Sequence, residues 1–173
     1  MNRIEGRVWR FGDHVNTDVI FPGKYTYTIS DPAEMARHAM EDADPAFAAN
    51  VHAGDIIVAG ENFGCGSSRE QAVTCLKAAG VAAIVAKSFA RIYFRNAINL
   101  GLPIIQCAEA VDAIGAGDTA AIELAAGRLE HAGRSYSFAP LPREVADILQ
   151  AGGLVEYVRR KRGNQSHVSR LES

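Results

Sequence analysis

Within eleven residues, Gly60-Glu61-Asn62-Phe63-Gly64-Cys65-Gly66-Ser67-Ser68-Arg69-Glu70 gathers a thiol, two hydroxyls and a guanidinium around three glycines. The apolar run Asp55-Ile56-Ile57-Val58-Ala59 precedes this segment, and a helical pattern reaching Ala79 follows it. A strand, a glycine-rich loop and a helix N-terminus in that order favour an anion. Backbone N–H groups are unpaired there, and the positive end of the helix dipole points the same way. Arg69 adds a fork of donors shaped for a carboxylate or phosphate. A serine can serve as a base only when ionised, and such donors are what lower a hydroxyl's pKa from its ordinary value far above neutrality. A base of that strength suits proton abstraction from carbon alpha to a carboxylate.

Other chemistries fit the segment less well. In a dinucleotide fingerprint, Arg69 would occupy the third glycine's place, and Lys87, not an acid, follows the next strand. A P-loop would need GK[ST] before the helix. A nucleophile elbow around Cys65 would need glycine where Phe63 stands. Cys65, with an apolar neighbour, reads as a packed small residue before it reads as a nucleophile. Ser67 also has a bland role: serine is a preferred helix N-cap, and Glu70 three residues on completes a capping box. A ligand site and simple capping both remain open from the residues alone.

The elements that must hold this loop follow from periodicity. Gly6–Phe11 alternates as a strand and ends in a polar turn through Asp18, after which Val19-Ile20-Phe21 resumes an extended run closed by Pro22-Gly23. Lys24–Ile29 reads as a loop. Asp31-Pro32-Ala33-Glu34 is an N-cap, a proline at N1 and the acid of a capping box, starting a helix to about Met40. Strand 55–59, helix 68–79, strand 81–86, helix 88–100 and strand 103–107 then alternate. That β-α-β-α-β order predicts parallel strands with crossover helices. Thr119–Ala125 and Arg128–His131 form a predicted hairpin near Gly127, followed by a strand at Tyr136–Phe138. Pro142 opens a helix to about Gln150, ended by Gly152-Gly153, and Leu154–Val158 reads as a final strand.

With 173 residues, 48% of them apolar and 22% charged, the chain fits one soluble globular domain. The formal charge of −2 is unevenly spread: five basic residues (Arg159, Arg160, Lys161, Arg162, Arg170) and one acid, Glu172, lie from 159 onward. The expected organisation is a domain over 1–158 and a basic, flexible tail over 159–173. No apolar run approaches the roughly 20 residues that span a bilayer, and Met1–Gly6 lacks a signal-peptide core. A cytoplasmic protein with no membrane contact is expected. Three cysteines without a CxxC pair argue against a disulfide framework or a self-contained metal site.

Residues 60–72, together with Ala86-Lys87-Ser88-Phe89-Ala90-Arg91-Ile92-Tyr93-Phe94-Arg95-Asn96-Ala97-Ile98-Asn99-Leu100-Gly101-Leu102-Pro103, closely resemble the small subunit of 3-isopropylmalate dehydratase, the aconitase-like swivel domain. Asp13–Tyr25, with Asn16-Thr17-Asp18 and Phe21-Pro22-Gly23-Lys24-Tyr25, resembles the same family, so the similarity runs from about residue 5 to 158. The resemblance implies an α/β, swivelling β/β/α fold. It also implies a partner large subunit carrying a [4Fe–4S] cluster on three cysteines, with no cofactor or metal in this chain. The reaction would isomerise 2- and 3-isopropylmalate through a dehydrated intermediate. Carried over by motif, Ser67 would be the catalytic base, and Ser68 and Arg69 would bind the substrate carboxylate. Asp18 would support the site's edge or, on the plainer reading, order its loop as an Asx turn.

In this family the loop at Tyr25–Thr28 tells substrates apart, which makes Thr26 and Tyr27 expected substrate-binding residues. Members acting on tricarboxylates carry an arginine where Tyr27 stands, and no arginine occurs between Arg10 and Arg37. A desolvated extra carboxylate needs a cation, so an uncharged branch is expected. Two departures are visible. Tyr25–Thr28 is less aliphatic than the usual isopropylmalate pattern, which keeps dimethylmalate and citramalate open, with homoaconitase a poorer fit. Gln71 stands where many relatives have histidine. Arg91 and Arg95, at i and i+4 on one helix, read as a solvated face ahead of a substrate or partner contact. His14, His38, His52, His131 and His167 show no ligand spacing. A non-catalytic anion- or RNA-binding module is the rival of another class, and no nucleic-acid partner is expected.

Overall fold

The computed structural model describes the backbone of residues 3–171 and the side chains of residues 3–164. In chain order the elements are β1 (Ile4–Arg10), α1 (Thr17–Ile20), α2 (Pro32–Ala36), α3 (Phe47–Asn50), β2 (Ile56–Ala59), α4 (Gln71–Ala78), β3 (Ala83–Ala86) and α5 (Arg91–Asn99). There follow β4 (Ile104–Gln106), α6 (Ala108–Ala113), β5 (Thr119–Glu123), β6 (Arg128–His131), β7 (Arg134–Ser137), α7 (Arg143–Ala151) and α8 (Leu154–Leu171).

One seven-stranded sheet has the order β4-β3-β2-β1-β5-β6-β7. The expected β-α-β-α-β unit is present, with β2, β3 and β4 parallel. β1 joins two kinds of sheet. Its C-terminal half pairs parallel with β2, Val8 against Ile56, and its N-terminal half pairs antiparallel with β5, Ile4 against Ile122. Gly6 lies beside the change of partner, where a Cβ would come within 2.0 Å of the Gly54 carbonyl oxygen.

β2 and β3 are buried along their whole length, as strands covered on both faces must be. Their alternate residues feed two cores. Ile57 and Ile84 face the layer of α4 and α5, with Leu76, Tyr93 and Ile98. Ile56, Val58 and Val85 face the layer of α6 and the antiparallel strands, with Val111, Ile122 and Leu129.

Several expected elements come out differently. Of Val19–Phe21 only Phe21 is extended: Thr17–Ile20 forms one helical turn, because the Asn16 side chain accepts the Val19 amide at 2.9 Å as an N-cap. The helix after the glycine-rich loop starts at Gln71, with Glu70 as N-cap and no side-chain cap. Leu154–Val158 is the start of α8 and not a strand. The Tyr157 amide bonds to the Gly153 carbonyl at 3.0 Å, and a short apolar run does not distinguish the two states by periodicity. β7 begins two residues before the expected strand and ends one before it.

Other expectations hold. Asp31 caps α2 by accepting the Glu34 amide at 3.0 Å, and Gly152 ends α7 in the left-handed conformation. α8 carries the backbone across position 158, so no break in secondary structure marks the boundary expected there. The side chains of His167 and Arg170 lie outside the described residues. No described helix is long and apolar enough to cross a membrane.

Candidate active site

Three segments leave the C-terminal ends of the adjacent parallel strands β1, β2 and β3: residues 11–18, 60–70 and 87–90. In an open α/β sheet this is the edge where ligands bind. The segments are knitted together there. The Gly64 amide donates to the Val15 carbonyl at 2.7 Å, and Thr17 N–H donates to the Cys65 carbonyl at 2.8 Å. On the other side, Phe63 N–H donates to the Ser88 carbonyl at 3.1 Å, and the Ala90 amide donates to the Phe63 carbonyl at 2.9 Å. The glycine-rich loop is thus paired on both flanks, as a short continuation of the sheet.

Phe63 anchors this loop in the core. It is fully buried, with its ring edge-on to Phe89 and Tyr93 at centroid distances of 6.1 and 5.4 Å. Burying such a side chain contributes about 1.5–3 kcal/mol, against about 1–2 kcal/mol to fix one residue's backbone. Gly64 then turns with φ +81°, and a Cβ there would lie 2.1 Å from the Tyr93 ring. Only glycine permits that approach, which brings the tip of the loop over α5. The buried Tyr93 hydroxyl donates to the Ala72 carbonyl at 3.0 Å, tying α5 to the first turn of α4 beneath the loop. Burial pushes that hydroxyl well above its ordinary pKa, so it stays protonated.

A cavity of about 180 Å³ opens between this loop and α5. Ser67, Ser68 and Arg69 line one wall, and Ala90–Tyr93 with Asn96 line the other, with no carboxylate in the lining. The Ser67 carbonyl accepts from the Thr17 hydroxyl at 2.9 Å, which fixes the serine's backbone. Neither serine hydroxyl has a partner among the described residues, so the capping role open to Ser67 is not taken up. The helix whose N-terminus lines the cavity is α5, which no side chain caps.

Arg69 Nη2 sits 2.6 Å from Asp18 Oδ1, while its Nη1 is buried without a partner. Asp18 therefore reaches the site through Arg69. Gly23 packs against the pair, since a Cβ there would lie 3.0 Å from Asp18 Oδ1 and 3.2 Å from Arg69 Nη1. Thr26 and Tyr27 are not in the cavity lining. Tyr27 is 99% exposed. Thr26 is held from behind: its carbonyl accepts from Gln71 Nε2 at 3.2 Å, and its hydroxyl is buried and unpartnered.

Sequence reasoning missed the root of this loop. Glu41 accepts from the Tyr25 hydroxyl and from Lys24 Nζ, each at 3.2 Å, and lies 2.6 Å from His38 Nδ1. The His38 ring packs 4.0 Å from that of Tyr25. The His38 hydrogen bond, followed by those of Lys24 and Tyr25, holds the Glu41 carboxyl below the usual carboxylate range. A glutamate sixteen residues from its tyrosine carries no sequence signal. Asn96 was likewise legible only as a helix residue. Arg91 and Arg95 are both exposed, as a solvated face requires, and Arg91 in addition lines the cavity.

No group of three or more His, Cys, Asp or Glu side chains among the described residues could hold a metal ion. Cys75 and Cys107 lie in the two separate cores, and Cys65 is half-buried in the loop. Burial raises the Cys75 thiol far above its ordinary pKa, which leaves it unreactive.

The aconitase C-terminal domain family matches residues 13–110. The chain is 54% identical over 156 residues to the 3-isopropylmalate dehydratase small subunit of Heliobacterium modesticaldum, covering 89% of this chain and 93% of that one. The corresponding small subunit of Aquifex aeolicus is 52% identical over 162 residues, covering 92% and 96%. Among solved structures, the crystal structure of 3-isopropylmalate dehydratase (LeuD) from Methanocaldococcus jannaschii superposes with a TM-score of 0.90 at 45% identity, covering 96% of this chain and 99% of that one.

Proposed function

Because the chain belongs to the aconitase C-terminal domain family, and within it to the small subunits of 3-isopropylmalate dehydratase, we propose that Ser67 is the base of that hydro-lyase. The role is that of the small subunit in leucine biosynthesis, active together with a large subunit. The observation that carries the reading is the cavity at Ser67–Arg69, with free hydroxyls, a half-satisfied guanidinium and no carboxylate in its lining.

In the forward direction a proton leaves the carbon alpha to a carboxylate and passes to Ser67 Oγ. Hydroxide departs from the neighbouring carbon as a double bond forms, and the proton held on Ser67 together with that hydroxide accounts for the water removed from the substrate. Rehydration with the opposite placement of hydroxyl and hydrogen completes the isomerisation. A [4Fe–4S] cluster on the large subunit, as the family resemblance implies, would supply Lewis-acid polarisation of the departing hydroxyl. This chain's residues bind and orient. Ser68 and the free Nη1 of Arg69 hold the carboxylate, Asp18 fixes the guanidinium plane, and Tyr93 and Phe63 hold the loop against α5. Tyr27, with no arginine beside it, favours a substrate whose branch is uncharged. The large exposed apolar side chains Tyr27 and Ile92 suit a site that a partner subunit covers.

The test is Ser67→Ala in the enzyme reconstituted with its large subunit. Turnover of isopropylmalate should fall by about 10²–10⁴-fold with little change in KM, and near-normal turnover would remove Ser67 from the role of base. Comparing isopropylmalate with homocitrate on the unaltered enzyme tests the substrate assignment, because efficient homocitrate turnover contradicts the reading of Tyr27.

A further inference from the structure

We propose that Arg91 is a second substrate-carboxylate-binding residue, the guanidinium that takes the carboxylate Arg69 does not. The inference deepens the dehydratase reading and rests on it. A malate-type substrate carries two carboxylates, and the cavity lining contains two cations, Arg69 and Arg91. They are not equivalent. The charge of Arg69 is already answered by Asp18 at 2.6 Å. The Arg91 guanidinium makes no hydrogen bond or ion pair among the described residues. The uncompensated positive charge of the cavity therefore belongs to Arg91.

Its placement suits the role. Arg91 is the first residue of α5 and lines the wall formed by that helix, while Arg69 lines the wall formed by the loop. Two forks on separate elements can hold the two ends of a dicarboxylate and so set the orientation of the carbon between them toward Ser67. A carboxylate enclosed by a covering partner subunit also needs a cation, since leaving it unpaired is costly. Both arginines are exposed in the isolated chain, but Arg95, one turn along the same helix, lies outside the cavity lining. It provides an internal control of the same type and charge.

The experiment compares Arg91→Gln, Arg91→Lys and Arg95→Gln in the enzyme assembled with its large subunit. Arg91→Gln should raise KM for isopropylmalate, and the dissociation constant of the non-reacting dicarboxylate malonate measured by calorimetry, by about 10–100-fold. Its kcat should change less. Arg91→Lys keeps the charge without the fork and should recover part of the loss, and Arg95→Gln should match the unaltered enzyme. An unchanged KM and malonate affinity in Arg91→Gln overturns the proposal. So does a defect confined to subunit assembly in sedimentation velocity, with normal KM at saturating large subunit, which would make Arg91 a docking residue. If the unaltered assembly fails to turn over isopropylmalate, the dehydratase reading falls, and the malonate comparison still decides Arg91.

Discussion

The groove over β5, β6 and β7, about 400 Å³, has more than twice the volume of the cavity at Ser67, about 180 Å³. Its lining includes Arg3, Glu5, Glu130, His131 and Arg134, charges of both signs. Arg3 is already engaged by Glu5, Glu123 and Glu130 at 3.5, 3.1 and 2.9 Å. The groove thus offers an anion little that its own carboxylates do not take up. In the small cavity the charge is one-signed, two hydroxyls are free, and three backbone segments converge. Volume marks where chain is missing, whereas unspent donors mark where a ligand belongs.

Substitutions in the two regions should separate them. The largest contrast is in turnover: Ser67→Ala should cost about 10²–10⁴-fold, while Glu130→Gln and Arg134→Ala in the groove should leave kcat and KM unchanged. Loss of turnover in a groove variant would break the comparison.

Next come paired glycine substitutions, which measure how rigid each region is. Gly64→Ala meets both φ +81° and the Tyr93 ring at 2.1 Å. Together these should destabilise by about 2–5 kcal/mol, with a matching fall in Tm. Gly133→Ala in the groove has φ +76° but open space around it, so only the backbone strain of about 1 kcal/mol applies. Equal costs would show that the loop yields around its tyrosine.

A smaller effect concerns acid. Glu41's carboxyl is held below its usual range by His38, then Lys24 and Tyr25. The stabilisation is therefore present above the unfolded carboxylate pKa and is lost as pH falls through the lowered folded value. Glu41→Gln should lower Tm near neutrality by a few degrees at most, about 1 kcal/mol or less for a partly exposed cluster. The difference from the unaltered protein should vanish in acid, and a difference that persists there would assign the effect to packing. The smallest effect belongs to the groove. Arg3→Ala breaks only exposed ion pairs, so Tm should be unchanged in 0.15 M salt, where such pairs are screened.

Much of the fold was legible beforehand because the central unit depends on local signals. Apolar runs of strand length alternate with amphipathic stretches closed by Gly80 and Gly101, and that pattern dictates parallel strands with crossover helices. Asp31-Pro32 announced the start of α2 by chemistry confined to four residues. Misreadings occurred where a local signal served two structures. Val19-Ile20-Phe21 looks extended until Asn16 caps it, and Leu154–Val158 suits strand or helix equally. Ser67 and Glu70 carried the spacing of a capping box, yet Glu70 takes the N-cap position of α4 without a side-chain bond, and the serine hydroxyls are left without partners among the described residues. In the cavity lining, the contiguous Ser67, Ser68 and Arg69 were legible as a group, and Arg91 was weighed as a possible contact, whereas Asn96 was hidden by distance along the chain.

By itself, the sequence determined the family, the β-α-β-α-β unit and the loop that carries the hydroxyls. Those are encoded in contiguous residues, where spacing and propensity act over a few positions. Tertiary structure alone decided that α5, and not α4, presents its N-terminus to the cavity, that Asp18 answers Arg69, and that Arg91 stands uncompensated beside it. These relations join residues from 22 to 51 positions apart on separate strands' ends. They arise only when the parallel sheet brings its C-terminal edges together, because the charge balance of a site depends on through-space distances that the order of residues does not fix.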